Sequence, residues 1–160
     1  MNVILACDIF NMMVLIKNMH WLSLRRSDFD YWSGIDTRWR DMDSLGHINH
    51  AVYLTYMESA RVDVYRELGY SGIRKEQEES TILGSMEVNY HFQVNHPAEL
   101  EIGHRICRVG SKSFDMIAAI FIKNEVEPVC TTLFKMVSYS YIKDSTIPVP
   151  DIIRDNCRPL

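Results

Sequence analysis

The sequence predicts an α+β domain in which an antiparallel sheet wraps around one central helix. Three observations carry that prediction. A single long helical stripe stands early in the chain, period-two patterns follow it four times, and one of those four is apolar on both faces. At 160 residues, 47% hydrophobic and 24% charged, the chain is large enough for one domain that buries its own core without disulfides or a metal.

The first residues stand apart. Residues 1–16, MNVILACDIFNMMVLI, are apolar except for Asp8. That is short of the roughly 20 apolar residues a bilayer requires, and no basic start or small-residue cleavage site marks a secretory leader. The basic and aromatic KNMHWLSLRR follows. Residues 1–28 are therefore read as an extension of unknown role: a packed segment, a membrane-surface helix, or the product of an early start codon. The domain is expected over 29–153, with a tail at 154–160.

Tyr31 to Arg40 alternates as a strand does. A polar, glycine-containing turn spans 41–49, and the helix follows over about 50–68. Tyr53, Met57, Ala60, Val64 and Leu68 recur at spacings of four, three, four and four, and Val52, Leu54 and Tyr56 widen the stripe enough to enclose the helix. Asn49 suits the N-cap and Gly69 the residue that ends the helix. Beyond a charged loop, Arg74 to Glu79, the period changes to two. Met86, Val88, Tyr90 and Phe92 share one strand face, and Leu100, Ile102 and Ile106 share another. In 113–122 Phe114, Met116, Ala118 and Ile120 alternate with Ile117, Ala119 and Phe121, so this strand is predicted to be central and covered on both sides. A long strand over about 128–142 ends the sheet, and the tail from Pro148 reads as irregular. Short connections predict that the four strands form a simple antiparallel meander.

Seventeen Lys plus Arg against 21 Asp plus Glu give a net charge of −4, which argues against broad nucleic-acid binding. Cys7, Cys107, Cys130 and Cys157 lie far apart without a CxxC pair, so reduced thiols in a cytoplasmic protein are expected.

No GxSxG, HExxH, GxGxxG or P-loop pattern is present. The chemistry-bearing stretch is the turn before the helix. Asp41, Asp43, His47 and His50 fall within ten residues, directly ahead of helix amides that have no intrahelical acceptor. Such amides hold a carbonyl oxygen that gains negative charge, and a nearby carboxylate can attack the carbonyl carbon or activate water. The residues taken alone leave three readings open: a turn and cap, acid/base catalysis, or a set of metal ligands.

The stretch Arg38-Trp39-Arg40-Asp41-Met42-Asp43-Ser44-Leu45-Gly46-His47-Ile48-Asn49-His50, continuing through Ala51-Val52-Tyr53 to Arg61, resembles the signature of hotdog-fold acyl-CoA thioesterases. The 4-hydroxybenzoyl-CoA thioesterase-like group is the nearest match. The likeness runs on through Asn89-Tyr90, Arg108 to Phe114 and Pro148-Val149-Pro150, covering about 30–153.

The resemblance implies the hotdog fold and hydrolysis of an acyl-CoA thioester, with no cofactor and no metal. Asp43 falls on the family's catalytic carboxylate, a nucleophile or general base. His50 falls on the position whose amide polarises the thioester carbonyl, and some bacterial short-chain members use a histidine there. Asn49 and Tyr53 belong to the same substrate-binding run. Trp39 replaces a tyrosine found in those members, and Asn49-His50 replaces an Asn-Asn pair. For the phosphates of CoA, Arg105, Arg108 and Lys112 around the Gly110 turn, with Ser113, are the candidate binding residues, against the alternative of a solvated hairpin face. The expected partners are an acyl-CoA substrate and a second copy of the chain, as a homodimer or homotetramer, with no nucleic acid and no stable membrane insertion. The rival functions are an acyl-CoA or acyl-carrier-protein binding module without hydrolysis, a thioesterase acting on acyl carrier protein, and a metal-dependent hydrolase.

Overall fold

The computed structural model describes residues 23–160; the expectations for residues 1–22 and for Cys7 lie outside them. A one-turn 3-10 helix at Arg26–Asp28 leads into β1 (Tyr31–Asp36), and a second at Trp39–Asp41 opens the turn before α1 (His50–Glu67). Then come β2 (Ser80–Tyr90), β3 (Glu99–Val109), β4 (Ser113–Ile122), β5 (Pro128–Ser140), the two-residue β6 (Ser145–Thr146) and α2 (Asp151–Asp155). The short helix α2 stands where the sequence suggests an irregular tail. Pro150 occupies its N-cap, and Pro150 O accepts from both Ile153 N and Arg154 N.

Both ends of α1 are closed as the sequence predicts. Asn49 Oδ1 accepts from the Ala51 amide at 3.0 Å, and the Asn49 carbonyl accepts from the Val52 amide. At the other end Gly69 adopts φ +72°, and the amides of Gly69 and Tyr70 donate to the carbonyls of Arg66 and Tyr65. This paired closure needs a left-handed residue at its corner, which favours glycine.

The sheet is antiparallel in the order β1-β3-β4-β5-β2, with β6 beside β5. Strands β3 to β5 form a meander. The predicted four-strand meander is corrected at β2, which pairs with β5 at the far edge and not with β3. The physical reason lies in residues 91–98. Ile48 N donates to Val94 O and Thr37 N to Ala98 O, so this connection is tied to the turn before α1 and is carried across the helix start. Strand β3 also has β1 on its other side, which leaves β2 no place beside it.

The core lies between α1 and one sheet face. Tyr53, Tyr56, Met57, Ala60 and Val64 of α1 pack on Leu100, Ile102, Phe114, Met116, Ala118, Ile120 and Phe134. The opposite face of β4 is also covered: Ile117, Ala119 and Phe121 are fully buried with Leu24, Phe29 and Leu133. β4 is the central strand that its two apolar faces predict. β2 differs, because Leu83, Met86 and Tyr90 are more than 40% exposed along an eleven-residue strand at the sheet edge.

Candidate active site

Asp41 and Asp43 sit two residues apart, yet the chain sends them to different environments. The Trp39–Asp41 turn folds Asp41 inward until it is 3% exposed. One of its oxygens accepts from the Arg38 amide at 2.8 Å, from Arg38 Nε at 3.0 Å and from the Tyr56 hydroxyl at 2.5 Å; the other accepts from Arg38 Nη2 at 3.1 Å. Burial by itself pushes the Asp41 carboxyl up, but the Arg38 and Tyr56 hydrogen bonds outweigh it and hold the group below its ordinary value. Asp41 is a structural anchor that joins the turn to α1.

Asp43 heads the next turn. Its amide donates to His47 O at 2.9 Å, its carbonyl accepts from Gly46 N at 3.1 Å, and Oδ1 accepts from the Leu45 amide at 2.8 Å. Gly46 takes φ +80°, a conformation other L residues rarely adopt, and a bridge between Met42 and Ile48 closes the loop. Among the described residues Asp43 Oδ2 has no partner. The local fold uses one carboxylate oxygen to hold the turn and leaves the other free.

The turn delivers the chain to the start of α1. The amides of Ala51 and Val52 are both satisfied by Asn49, whereas the His50 amide has no acceptor among the described residues. The N-cap thus leaves one donor open at the positive end of an 18-residue helix. The His50 carbonyl accepts from the Tyr90 hydroxyl at 3.0 Å, and the His50 and Tyr53 rings meet the Tyr90 ring edge-on at 6.5 and 5.6 Å. Burial pushes the phenols of Tyr53 and Tyr90 up, so both stay neutral donors at ordinary pH.

Asp43, His47, His50 and Tyr53 line one open cleft of about 300 Å³, and residues 90–93 form its other wall. The described residues therefore bring Asp43, His50 and Tyr53 together, with Asn49 capping the helix beneath them. Tyr90, His91 and Phe92 were not singled out from the sequence as site residues, although Asn89-Tyr90 belongs to the stretch that carries the resemblance. Their signal was an aromatic run at a strand end, which reads equally well as packing. His91 is braced by Thr131, Nε2 to Oγ1 at 2.9 Å, and burial lowers its pKa. Trp39 is not among the residues that line this cleft; it is 76% exposed and edge-on to His96.

The proposed phosphate cluster does not hold together as a patch. Arg105 is 4% exposed, and its guanidinium is spent on the carbonyls of Asp28, Arg158 and Pro159. Arg108 makes a two-pronged pair with Asp115 at 2.6 and 2.8 Å, and Lys112 reaches Thr146. The register also sets them far from Asp43 within the chain. Ser113 pairs with Val137, and Val137 with Ile82, whereas the cleft lies where Ile120 meets Cys130 and Cys130 meets Tyr90. Asp41 is likewise removed from the set of possible metal ligands, since both its oxygens are engaged. Among the described residues no group of three or more His, Cys, Asp or Glu side chains is arranged to hold a metal ion.

Comparison with known proteins bears on the family and the fold. A family model described as the thioesterase-like superfamily matches residues 37–156. The uncharacterized protein YsmA of Bacillus subtilis (strain 168) is 25% identical over 91 residues, 57% of this chain; the chain spans 60% of that relative's length. Among solved structures, the PA5185 protein of Pseudomonas aeruginosa strain PAO1 superposes with a TM-score of 0.75 at 25% identity, over 82% of this chain and 92% of that one. A thioesterase of Thermus thermophilus, solved in complex with coenzyme A and Zn, superposes with a TM-score of 0.70 at 28% identity, over 81% of this chain and 98% of that one.

Proposed function

The chain belongs to the thioesterase-like superfamily and has its hotdog fold, and from that premise we propose that it hydrolyses an acyl-CoA thioester to a free acid and CoA in the cleft between Asp43 and the start of α1. One observation carries the reading: a carboxylate oxygen and a helix amide, both without partners among the described residues, face the same cleft. The thioester carbonyl oxygen accepts from the His50 amide, and the helix dipole stabilises the charge that develops on it. Asp43 then takes a proton from water as the water oxygen bonds to the carbonyl carbon, or bonds to that carbon itself and is released by water afterwards. In both routes the C–S bond breaks when the tetrahedral centre collapses, and the thiolate leaves as CoA. Tyr90 holds the His50 carbonyl and so fixes the peptide next to the donating amide. The exposed His50 ring stands over Tyr90, where it orients water.

The working unit is a homodimer. β2 presents a long edge with unpaired backbone groups and exposed Leu83, Met86 and Tyr90, an arrangement that pairs readily with another strand. A second copy joined two-fold about the middle of β2 would satisfy those groups and cover the apolar side chains with no new element. No helix among the described residues is long and apolar enough to cross a membrane.

A panel of acyl-CoAs from acetyl to palmitoyl, together with aromatic ones, tests the activity through release of free thiol. Catalysed release from at least one of them is the expected result. Binding of the whole panel without release would make the chain a binding module.

A further inference from the structure

The two groups proposed to act on the thioester stand at the two ends of one loop. Asp43 lies near its start and the His50 amide follows its end, so their separation depends on how residues 41–49 are held. Within itself the loop is a closed hairpin. Asn49 N donates to Asp41 O at 2.9 Å, a bridge joins Met42 to Ile48, and Asp43 N donates to His47 O at 2.9 Å. A hairpin closed in this way shifts as one body, so its attachments decide where Asp43 stands against α1.

At Asn49 the hairpin runs into the helix cap, and at Ile48 it is tied to the 91–98 connection by Ile48 N donating to Val94 O at 2.8 Å. The body of α1 reaches it at one point. Among the described residues the Tyr56 hydroxyl makes the only hydrogen bond from an α1 side chain to residues 41–48, donating to Asp41 Oδ2 at 2.5 Å. Tyr56 stands on the second turn of the helix and packs in the main core, 1% exposed. Side chains on a helix lean back toward its N-terminus, which is the direction of the hairpin. Asp41 is at the same time held by Arg38, through the amide, Nε and Nη2. Removing the phenol hydroxyl therefore leaves Asp41 paired and the ring packed, and it releases the hairpin from the helix body.

We propose that Tyr56 is a positioning residue for the hydrolysis: through Asp41 it fixes the hairpin against α1, and so sets the reach of the Asp43 carboxylate to a carbonyl held by the His50 amide. Tyr56 touches neither substrate nor water in this scheme, and it does not line the cleft. Its leverage is geometric, since a misplacement of about 1 Å that arises away from the chemistry can cost about 10²-fold in rate. The proposal rests on the thioesterase reading for the reaction, but one arm of its test needs no turnover.

The test is a double-substitution cycle in the full-length protein: Tyr56→Phe, Asp41→Ala and the two combined, assayed on the best acyl-CoA of the panel. Tyr56→Phe should lower kcat about tenfold or more with KM within about twofold of wild type, at a temperature where circular dichroism shows the protein folded. Added to Asp41→Ala it should lower kcat no further, because the hydroxyl acts through that carboxylate. The second arm is read without substrate, in ¹⁵N-labelled protein. The amide resonances of residues 42–48 and of His50 should move in Tyr56→Phe, and that arm stands alone if Asp41→Ala does not fold. A lowered melting temperature with kcat unchanged would mark a packing role and overturn the proposal. Additive losses in the cycle, or hairpin resonances that stay in place, would overturn it too. Failure of every acyl-CoA to be hydrolysed would defeat the proposed activity, while the resonances still decide whether Tyr56 holds the hairpin.

Discussion

Asp41 and Asp43 show how a two-residue step changes chemistry. Spacing along an extended segment sends both the same way, so the sequence left the choice between them to the family resemblance. The Trp39–Asp41 turn separates them, burying Asp41 beneath Arg38 and Tyr56 and setting Asp43 at the cleft, which supports the proposal that Asp43 is the acting carboxylate. Asp41→Asn removes the charge that four donors share and should lower stability by about 2 kcal/mol, with kcat reduced far less than in an Asp43 variant. Thermal melts and turnover on one substrate check the split. A second residue governs acid stability. His104 is fully buried, stacks at 6.4 Å on the Phe134 ring that Arg61 also covers, and has no hydrogen-bond partner at either nitrogen among the described residues. Burial, with Arg61 adding, lowers its pKa to about 3, and the Met57 backbone opposes this without closing a hydrogen bond. The unfolded chain therefore takes up this proton near the ordinary value of 6.5 while the folded chain resists it. Stability from keeping His104 neutral is fully present above pH 6.5 and is lost as pH falls toward 3, at about 1.4 kcal/mol per pH unit. The denaturant midpoint of wild type should therefore fall relative to that of His104→Phe as pH is lowered from about 7 to about 4. A parallel pair of curves would contradict the assignment.

At the scale of elements, the helix and the central strand were legible because each carries its own signal. The α1 stripe, Asn49 and Gly69 mark a helix with both ends, and the two apolar faces of β4 mark a strand with cover on each side. The placement of β2 was not legible, because sheet order depends on what the connection 91–98 bonds to, and Val94 and Ala98 find their partners in the turn and strand before α1. The partners of Arg105 and Arg108 were not legible for a related reason: both read as free cations in sequence, and the fold brings the C-terminal carbonyls and Asp115 beside them from distant sequence. The exposed edge of β2 leads to an expectation about assembly. Sedimentation should find a dimer, and replacing Met86 with lysine, which places a charge on the paired edge, should shift it toward the 18.7 kDa monomer. A wild-type protein that sediments as an active monomer would contradict the proposed homodimer.

In the whole molecule the candidate site lies at the N-terminal end of α1. There the His50 amide and one Asp43 oxygen, both without partners among the described residues, are the groups proposed to act on the thioester carbonyl. The proposed two-fold joining of chains at β2 would set the Ser80 end of one strand beside the Tyr90 end of its partner's, and so bring a second chain against the cleft. Everything in that account turns on Asp43 acting chemically and not merely shaping its turn. Asp43→Asn retains the Oδ1 acceptor for the Leu45 amide and removes the charge that attacks or takes a proton. The direct measurement is kcat of Asp43→Asn on the best acyl-CoA, alongside its melting temperature and its affinity for CoA. The account predicts a loss in kcat of about 10²–10⁴-fold, with melting temperature and CoA affinity near wild type. Turnover near wild type in a folded Asp43→Asn protein would contradict it.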